Sequence, residues 1–125
     1  MATWQEIGID SFRAGRELLD GKHYRSSASR FCYAAFSLLT YELARTGVSF
    51  GRGRQTPAHS EMTDSITVHF TQFSETRRRA IASLALRLCH LRLEADYSVQ
   101  RIDRRAAEKA LRDVTKIFRH FGVNP

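Results

Sequence analysis

The segment FCYAAFSLLTYEL, residues 31–43, narrows the possible folds more than any other part of the sequence. Its apolar side chains occupy nearly every side of a helix rather than a single face. A helix that is hydrophobic all round must be covered on all sides. We therefore predict that residues 24–45 form the central helix of the domain, or a helix that also packs against a second copy of the chain.

Four further helices are predicted around this centre. The stretch TWQE has the spacing of a capping box and starts a first helix, which Gly21 ends. Thr56 and Pro57 are typical of an N-cap and first turn, and so begin a third helix. A fourth helix is predicted from residue 74 or 75 to about residue 95, and a fifth from its N-cap Asp103 to residue 121. The predicted fold is all-α, an antiparallel bundle of four to five helices in a single domain over residues 1–125.

The chain is strongly basic, with a net charge of +7. Such a balance favours acidic partners, with nucleic acid the first candidate and an anionic membrane surface the second. No apolar run reaches the roughly 20 residues that span a bilayer, and the N-terminus does not resemble a signal peptide. We therefore expect a cytoplasmic protein without membrane association.

Motifs for metal, cofactor and common catalytic chemistry are missing from the sequence. Cys32 and Cys89 lie within helical apolar patterns, which predicts reduced core thiols. The five histidines have no metal-ligand spacing, and no glycine-rich phosphate loop carries its lysine. We expect neither a metal nor a cofactor.

The most informative polar residue lies in LCHLRLEADY, residues 88–97. At about 100° per residue, Arg92 falls on the apolar face of the fourth helix. One interpretation is an i,i+4 ion pair with Asp96, completed by Tyr33, Tyr97 or Glu42, because a charge buried alone costs several kcal/mol. The other is that Arg92 points into a groove between two protomers and binds an anion.

Surface arginines near the starts of the last two helices form a second candidate site. If these two helix starts lie close together, the arginines make a basic patch for nucleic acid. The alternative is an ordinary solvated face. The residues concerned are Arg77, Arg78 and Arg79 at the start of the fourth helix, and Arg101, Arg104, Arg105 and Arg112 near the start of the fifth.

Three segments, in this order, resemble the HEPN superfamily of small helical-bundle proteins. They are ELLDGKHYRSSASRFCYAAFSLLTYEL (17–43), TPAHSEMTDSITVHF (56–70) and LRLEADY (91–97), the last similar to the Arg-x-x-x-Asp-Tyr ending of one branch. The first segment adds Arg30 and Tyr33 to the candidate binding residues. The resemblance implies a helical bundle, frequent homodimers and frequent pairing with nucleotidyltransferase-like proteins. It also implies, for many members, metal-independent RNase activity in toxin–antitoxin or antiviral systems.

The sequence departs from the nuclease pattern that the resemblance implies. In that pattern an Arg near the end of the fourth helix is followed, after four to six residues, by a His. The corresponding positions after Arg92 are Tyr97, Ser98 and Val99. The spacing occurs elsewhere, most plausibly between Arg54 and His59, but several such matches arise by chance in so basic a chain.

Three functions therefore stand as expectations. The first is a dimeric HEPN-like binding module without the usual nuclease pair, contacting a nucleotidyltransferase-like partner, a nucleotide or RNA in a toxin–antitoxin or defence setting. The second is a metal-independent RNase that uses Arg92 with Tyr97 or His59. The third is a structural or regulatory homodimer. For the first, the candidate binding residues are Arg92, Asp96, Tyr97, Arg30, Tyr33, Arg77, Arg78, Arg79, Arg104 and Arg105.

Overall fold

A computed structural model describes residues 1–48 and 59–125, apart from the side chains of residues 59 and 60. The described part contains helices and no strand, as predicted for an all-α bundle. The predicted start of the third helix at Thr56 and Pro57 lies outside the described residues. The five helices are α1 (Trp4–Asp20), α2 (Tyr24–Arg45), α3 (His59–His69), α4 (Glu75–Tyr97) and α5 (Arg104–His120).

The ends of the helices follow the local signals in the sequence. The Thr3 hydroxyl accepts the Glu6 backbone N–H at 3.1 Å, and the Glu6 carboxylate accepts the Thr3 N–H in return. This confirms the capping box. Helix α1 ends beside Gly21 as predicted, but the residue with a left-handed backbone is Lys22, at φ 66°. Asp103 caps α5 by accepting the Ala106 N–H at 2.9 Å.

Small residues let α1 lie very close to α2. A Cβ on Gly15 would come within 2.6 Å of the Phe31 ring, and one on Gly8 within 3.1 Å of the Ala34 carbonyl oxygen. The Ser27 hydroxyl donates a hydrogen bond to the Gly15 carbonyl at 2.8 Å. Because α1 fits this tightly, the large side chains of α2 fill the space between the helices with few voids.

Helix α2 is the centre of the bundle, which confirms the first prediction. It packs against each of the other four helices. Phe31, Leu38 and Leu43 are fully buried on it and belong to the same hydrophobic core as Phe118 of α5. Burial of a side chain of this kind contributes roughly 1.5–3 kcal/mol, so the apolar run of α2 provides much of the stability.

Helices α4 and α5 are antiparallel, and this overturns the idea of one joint basic patch. The Nε of Arg77, at the start of α4, donates to Nδ1 of His120, at the end of α5, at 2.9 Å. Neighbouring helices joined by a short connection run in opposite directions. The arginines at the start of α4 are therefore at the other end of the bundle from Arg104 and Arg105.

Candidate functional site

The predicted ion pair of Arg92 and Asp96 is present on α4. Nε of Arg92 lies 3.3 Å from Oδ2 of Asp96, and the two side chains are 27% and 29% exposed. Oδ1 of Asp96 also accepts a hydrogen bond from the Ser29 hydroxyl of α2, at 2.9 Å. These three residues form a polar centre, hereafter the Arg92 centre, where α2 and α4 meet near the surface.

Ser29 was missed by the sequence analysis, which named other partners. It lies 67 residues from Asp96 in the chain, and no local pattern reports so distant a contact. Glu42 bonds instead to Arg45 at 3.4 Å. Burial raises the pKa of Glu42, whereas the charge of Arg45 lowers it. Tyr97 is 79% exposed, so its ring is available at the surface.

A small apolar cavity adjoins the Arg92 centre between α2, α3 and α4. Its volume is about 40 Å³, and Leu39, Met62 and Leu88 are among its lining residues together with Arg92. A site needs roughly 10–15 Å³ to hold one water. The cavity accommodates water-sized groups but no nucleotide, so any larger anion at Arg92 binds on the surface.

The charges of the Arg92 centre act on the thiol of Cys32 in α2. The pKa of the Cys32 thiol is raised to about 12, mainly by burial and next by the charge of Asp96, whereas the charge of Arg92 lowers it. The thiol is therefore protonated and unreactive at neutral pH. Cys32 and Cys89 are both free cysteines; Cys32 is buried in the core as predicted, whereas Cys89 is only half-buried.

Arg25 holds the end of α4 on which the Arg92 centre lies. One of its terminal nitrogens donates to the carbonyl oxygens of Glu94, at 3.1 Å, and Ser98, at 2.9 Å, and also to that of Ala95. The other donates to the Gln100 carbonyl. The last carbonyls of a helix lack intrahelical partners, and a cation there is favourable. No local pattern in the sequence indicates this role of Arg25, because its partners are about 70 residues away.

Exposed apolar side chains form a stripe on α4 beside the centre. Leu86, Leu93 and Tyr97 are 45%, 53% and 79% exposed, and their spacing of seven and four residues places them on one face. We call these three residues the apolar stripe. Cys89, Arg92, Leu93 and Tyr97 line one shallow depression of about 120 Å³. Grouped exposed apolar side chains with a polar border are typical of interaction sites.

The other predicted binding residues are dispersed. The Arg77 guanidinium lies 4.4 Å from the centre of the Phe73 ring, and burial together with Arg77 lowers the pKa of His120. Arg78 donates to the Thr67 carbonyl at 3.1 Å. Arg79 pairs with Glu75 at 2.7 Å, and Arg104 pairs with Glu108 at 2.6 Å. Arg30 and Arg105 are exposed, and Tyr33 is half-buried.

The structure does not bring the weaker nuclease candidates together. Arg54 lies outside the described residues. His59 begins α3, but its side chain is likewise not described. Within residues 1–48 and 59–125, no group of three or more His, Cys, Asp or Glu side chains is placed to hold a metal ion. None of the described helices is both long and apolar enough to cross a membrane.

Comparisons with known proteins identify a family. The sequence matches the family model of the HEPN domain over residues 1–122. No curated protein and no solved structure shows a significant match to the chain.

Proposed function

The chain belongs to the HEPN domain family, and from this premise we propose that it is a dimeric binding module that holds a phosphate group of RNA or of a nucleotide at the Arg92 centre. Family membership supports a general nucleotide- or RNA-related role. The observation that carries the finer proposal is the partly exposed Arg92–Asp96 pair bordered by the apolar stripe.

The chemistry of the Arg92 centre suits a phosphate. A guanidinium presents a planar fork of donors that matches phosphate oxygens, and charge-assisted hydrogen bonds of this kind are about twice as strong as neutral ones. Asp96 restrains the orientation of Arg92, and Ser29 in turn restrains Asp96. An arginine oriented before binding loses less side-chain entropy when it binds.

The apolar stripe supports the dimer. Leu93 and Tyr97 line the same depression as Arg92 and are among the most exposed large apolar residues described. In a twofold dimer the same surface of both subunits meets. Covering the apolar stripe in this way would bring the two Arg92 side chains to one seam, where two cations would face a shared anion.

A nucleotidyltransferase-like protein, in a toxin–antitoxin or defence setting, is the alternative occupant of the apolar stripe. Support for it comes from the family resemblance of the sequence segments, and no contact among the described residues adds to that support. Light scattering distinguishes the two occupants. We expect a dimer at micromolar concentration, and a monomer would leave the stripe to a different protein.

Binding of labelled RNA tests the Arg92 centre. We expect the protein to bind RNA without cutting it, and Arg92→Ala to weaken binding at least about tenfold, the loss of one charge-assisted contact. The control is Arg13→Ala, which removes an exposed arginine of α1 and lowers the net charge equally. Equal weakening by both variants would contradict the proposal.

A metal-independent RNase is the second candidate. The observation in its favour is that Tyr97 is exposed and lines the same depression as Arg92. In this case a chelator leaves RNA cleavage intact, and both Arg92→Ala and Tyr97→Phe remove it. If Arg92→Ala is inactive but Tyr97→Phe cleaves normally, His59 is the remaining partner of Arg92 to test, and normal cleavage by both variants would contradict this candidate. A dimer with neither binding nor cleavage would favour the structural role.

A further inference from the structure

The solvent-facing side of helix α5 is dominated by cations. Its six most exposed residues are lysine or arginine, the Glu108 side chain is 41% exposed, and the opposite face is buried in the core. Five of them recur at intervals of four, three, four and three residues, which places them within about 80° of the helix circumference. With a rise of about 1.5 Å per residue, the row is roughly 21 Å long. We call it the α5 ridge: Arg105, Lys109, Arg112, Lys116 and Arg119.

The acids of α5 form ion pairs with residues outside the α5 ridge. Glu108 pairs with Arg104, which is outside the ridge, and Asp113 pairs with Arg87 of α4. The ridge cations themselves form no ion pair within the described part of the chain. Like charges three or four residues apart destabilise a helix. The fold therefore carries this row at some expense of stability.

The basic composition of the chain does not explain the α5 ridge. Helix α1 has the same length of 17 residues, yet its exposed side chains are four acids and two arginines, a net charge of −2. The six most exposed residues of α5 carry +6. Positive charge is therefore concentrated on one helix. The exposed residues of α1 are Glu6, Asp10, Arg13, Arg16, Glu17 and Asp20.

We propose that the α5 ridge binds the phosphate backbone of a nucleic-acid strand, as a second surface distinct from the Arg92 centre. A row of five cations roughly 21 Å long can contact several successive phosphates of an extended single strand. The ridge contains no apolar anchor of the kind that protein interfaces and membrane insertion require. Contacts to phosphates need only charge and are independent of base sequence.

This proposal rests on the nucleic-acid role proposed above and adds how a strand is held. The Arg92 centre would contact one phosphate, whereas the α5 ridge would supply affinity without sequence preference. Such binding weakens steeply with salt, because each neutralised phosphate releases counterions. With five contacts to a single strand, the affinity is expected to fall about 100-fold between 50 and 200 mM salt.

The test compares two variants of equal charge. Arg112→Gln/Lys116→Gln changes the α5 ridge, and Arg13→Gln/Arg16→Gln changes exposed cations of α1, so both lower the net charge from +7 to +5. Glutamine is a good helix former, so both variants should fold. The probes are a labelled single-stranded RNA and a DNA of the same sequence, each about 20 nucleotides long, with anisotropy read at several salt concentrations.

We expect the ridge variant to lower the salt slope by about 1.4 for both strands, leaving only about a 20-fold fall in affinity over the same salt range. The α1 variant should keep the original slope. Equal slopes in the two variants would overturn the proposal, as would the absence of binding. It would also be overturned if the ridge variant lost only self-association or only attachment to phosphatidylserine vesicles.

The two proposals fail separately. If the ridge variant keeps the original salt slope and Arg92→Ala binds RNA more weakly, the proposal for the Arg92 centre is supported and that for the α5 ridge is rejected. If the ridge variant has a reduced salt slope and Arg92→Ala binds RNA with unchanged affinity, the α5 ridge is supported as a nucleic-acid surface and the phosphate role of Arg92 is rejected.

Discussion

Helix α4 carries two arginine–aspartate pairs that differ in almost every physical respect. Arg87 reaches across to α5 and contacts Asp113 through two bonds, at 3.0 and 3.3 Å, and the Asp113 side chain is 7% exposed. Arg92 pairs within α4 with Asp96 through Nε, and both side chains are more than a quarter exposed. The first pair joins two helices around a buried carboxylate, and the second arranges charges at the surface.

This difference indicates which pair is needed for folding. The hydrogen bond to Asp113 and its charge raise the pKa of Arg87. When a buried carboxylate loses its cation partner, the free-energy cost of its desolvation is no longer offset. An exposed i,i+4 pair, in contrast, contributes only a few tenths of a kcal/mol. The Arg87 pair therefore joins two helices of the folded chain, whereas the Arg92 pair is local to α4 and partly exposed.

The largest expected effect is that of Arg87→Ala. It leaves the Asp113 carboxylate buried without its partner, and we expect the free energy of unfolding to fall by about 2 kcal/mol, below the value for fully buried pairs because Arg87 is half-exposed. Asp113→Ala frees Arg87 to reach solvent and should cost about half as much. Urea denaturation of both variants and the double variant measures these changes. A larger loss in Asp113→Ala would reverse the assignment of which partner is buried.

Arg25→Ala should have the next largest effect, confined to the end that carries the Arg92 centre. Loss of hydrogen bonds to four carbonyls is expected to lower the free energy of unfolding by about 1 kcal/mol. Backbone amides at residues 94–100 should exchange hydrogen faster, whereas amides around Arg87 should keep their rates. Arg25→Lys retains the charge but cannot make all of the hydrogen bonds, so its free energy of unfolding should lie between those of the parent chain and Arg25→Ala. Uniform acceleration along α4 would show that Arg25 supports the whole helix.

Arg92→Ala should change stability little. The pair with Asp96 is partly exposed and local, so we expect the free energy of unfolding to change by less than about 0.5 kcal/mol. The same urea titrations measure it beside Arg87→Ala. A loss as large as that of Arg87→Ala would make the two pairs equivalent and remove the contrast between them.

The smallest effect is expected at a third pair, Arg45 and Glu42. Burial raises the pKa of Glu42 above its unfolded value, so its contribution is fully present below about pH 4.5 and is lost as the pH rises through the folded pKa. Glu42→Gln should therefore be more stable than the parent chain at pH 7, by a few tenths of a kcal/mol, and the gain should vanish at pH 4. Urea midpoints at the two pH values test this. A loss of stability at pH 7 would show that the Arg45 bond outweighs burial.

Helix positions were largely predictable from the sequence because their signals are local. The capping box at Thr3, the N-cap at Asp103 and the apolar run of α2 each act within a few residues, and the structure confirms all three. The sequence placed the end of α4 near residue 95, whereas the helix continues to Tyr97. Arg25, which caps this end, is remote in sequence and left no local signal.

The candidate site was only partly predictable. The spacing of Arg92 and Asp96 sufficed to predict their ion pair, because both lie on one helix. The contact of Asp96 with Ser29 and that of Arg87 with Asp113 depend on how helices pack, which periodicity does not report. The same limit applies to the candidate basic patch, which required the starts of α4 and α5 to lie close together. The sequence revealed the charges, but their grouping followed from the antiparallel packing.

The central claim is that Arg92 binds a phosphate of RNA and is not needed for folding. Its most direct test is the dissociation constant of Arg92→Ala for RNA, measured together with the urea midpoint of the same variant. We expect at least about a tenfold weaker affinity with an unchanged midpoint. Unchanged affinity would contradict it, as would a loss of affinity that accompanies an equal loss of stability, because Arg92 would then be a structural residue like Arg87.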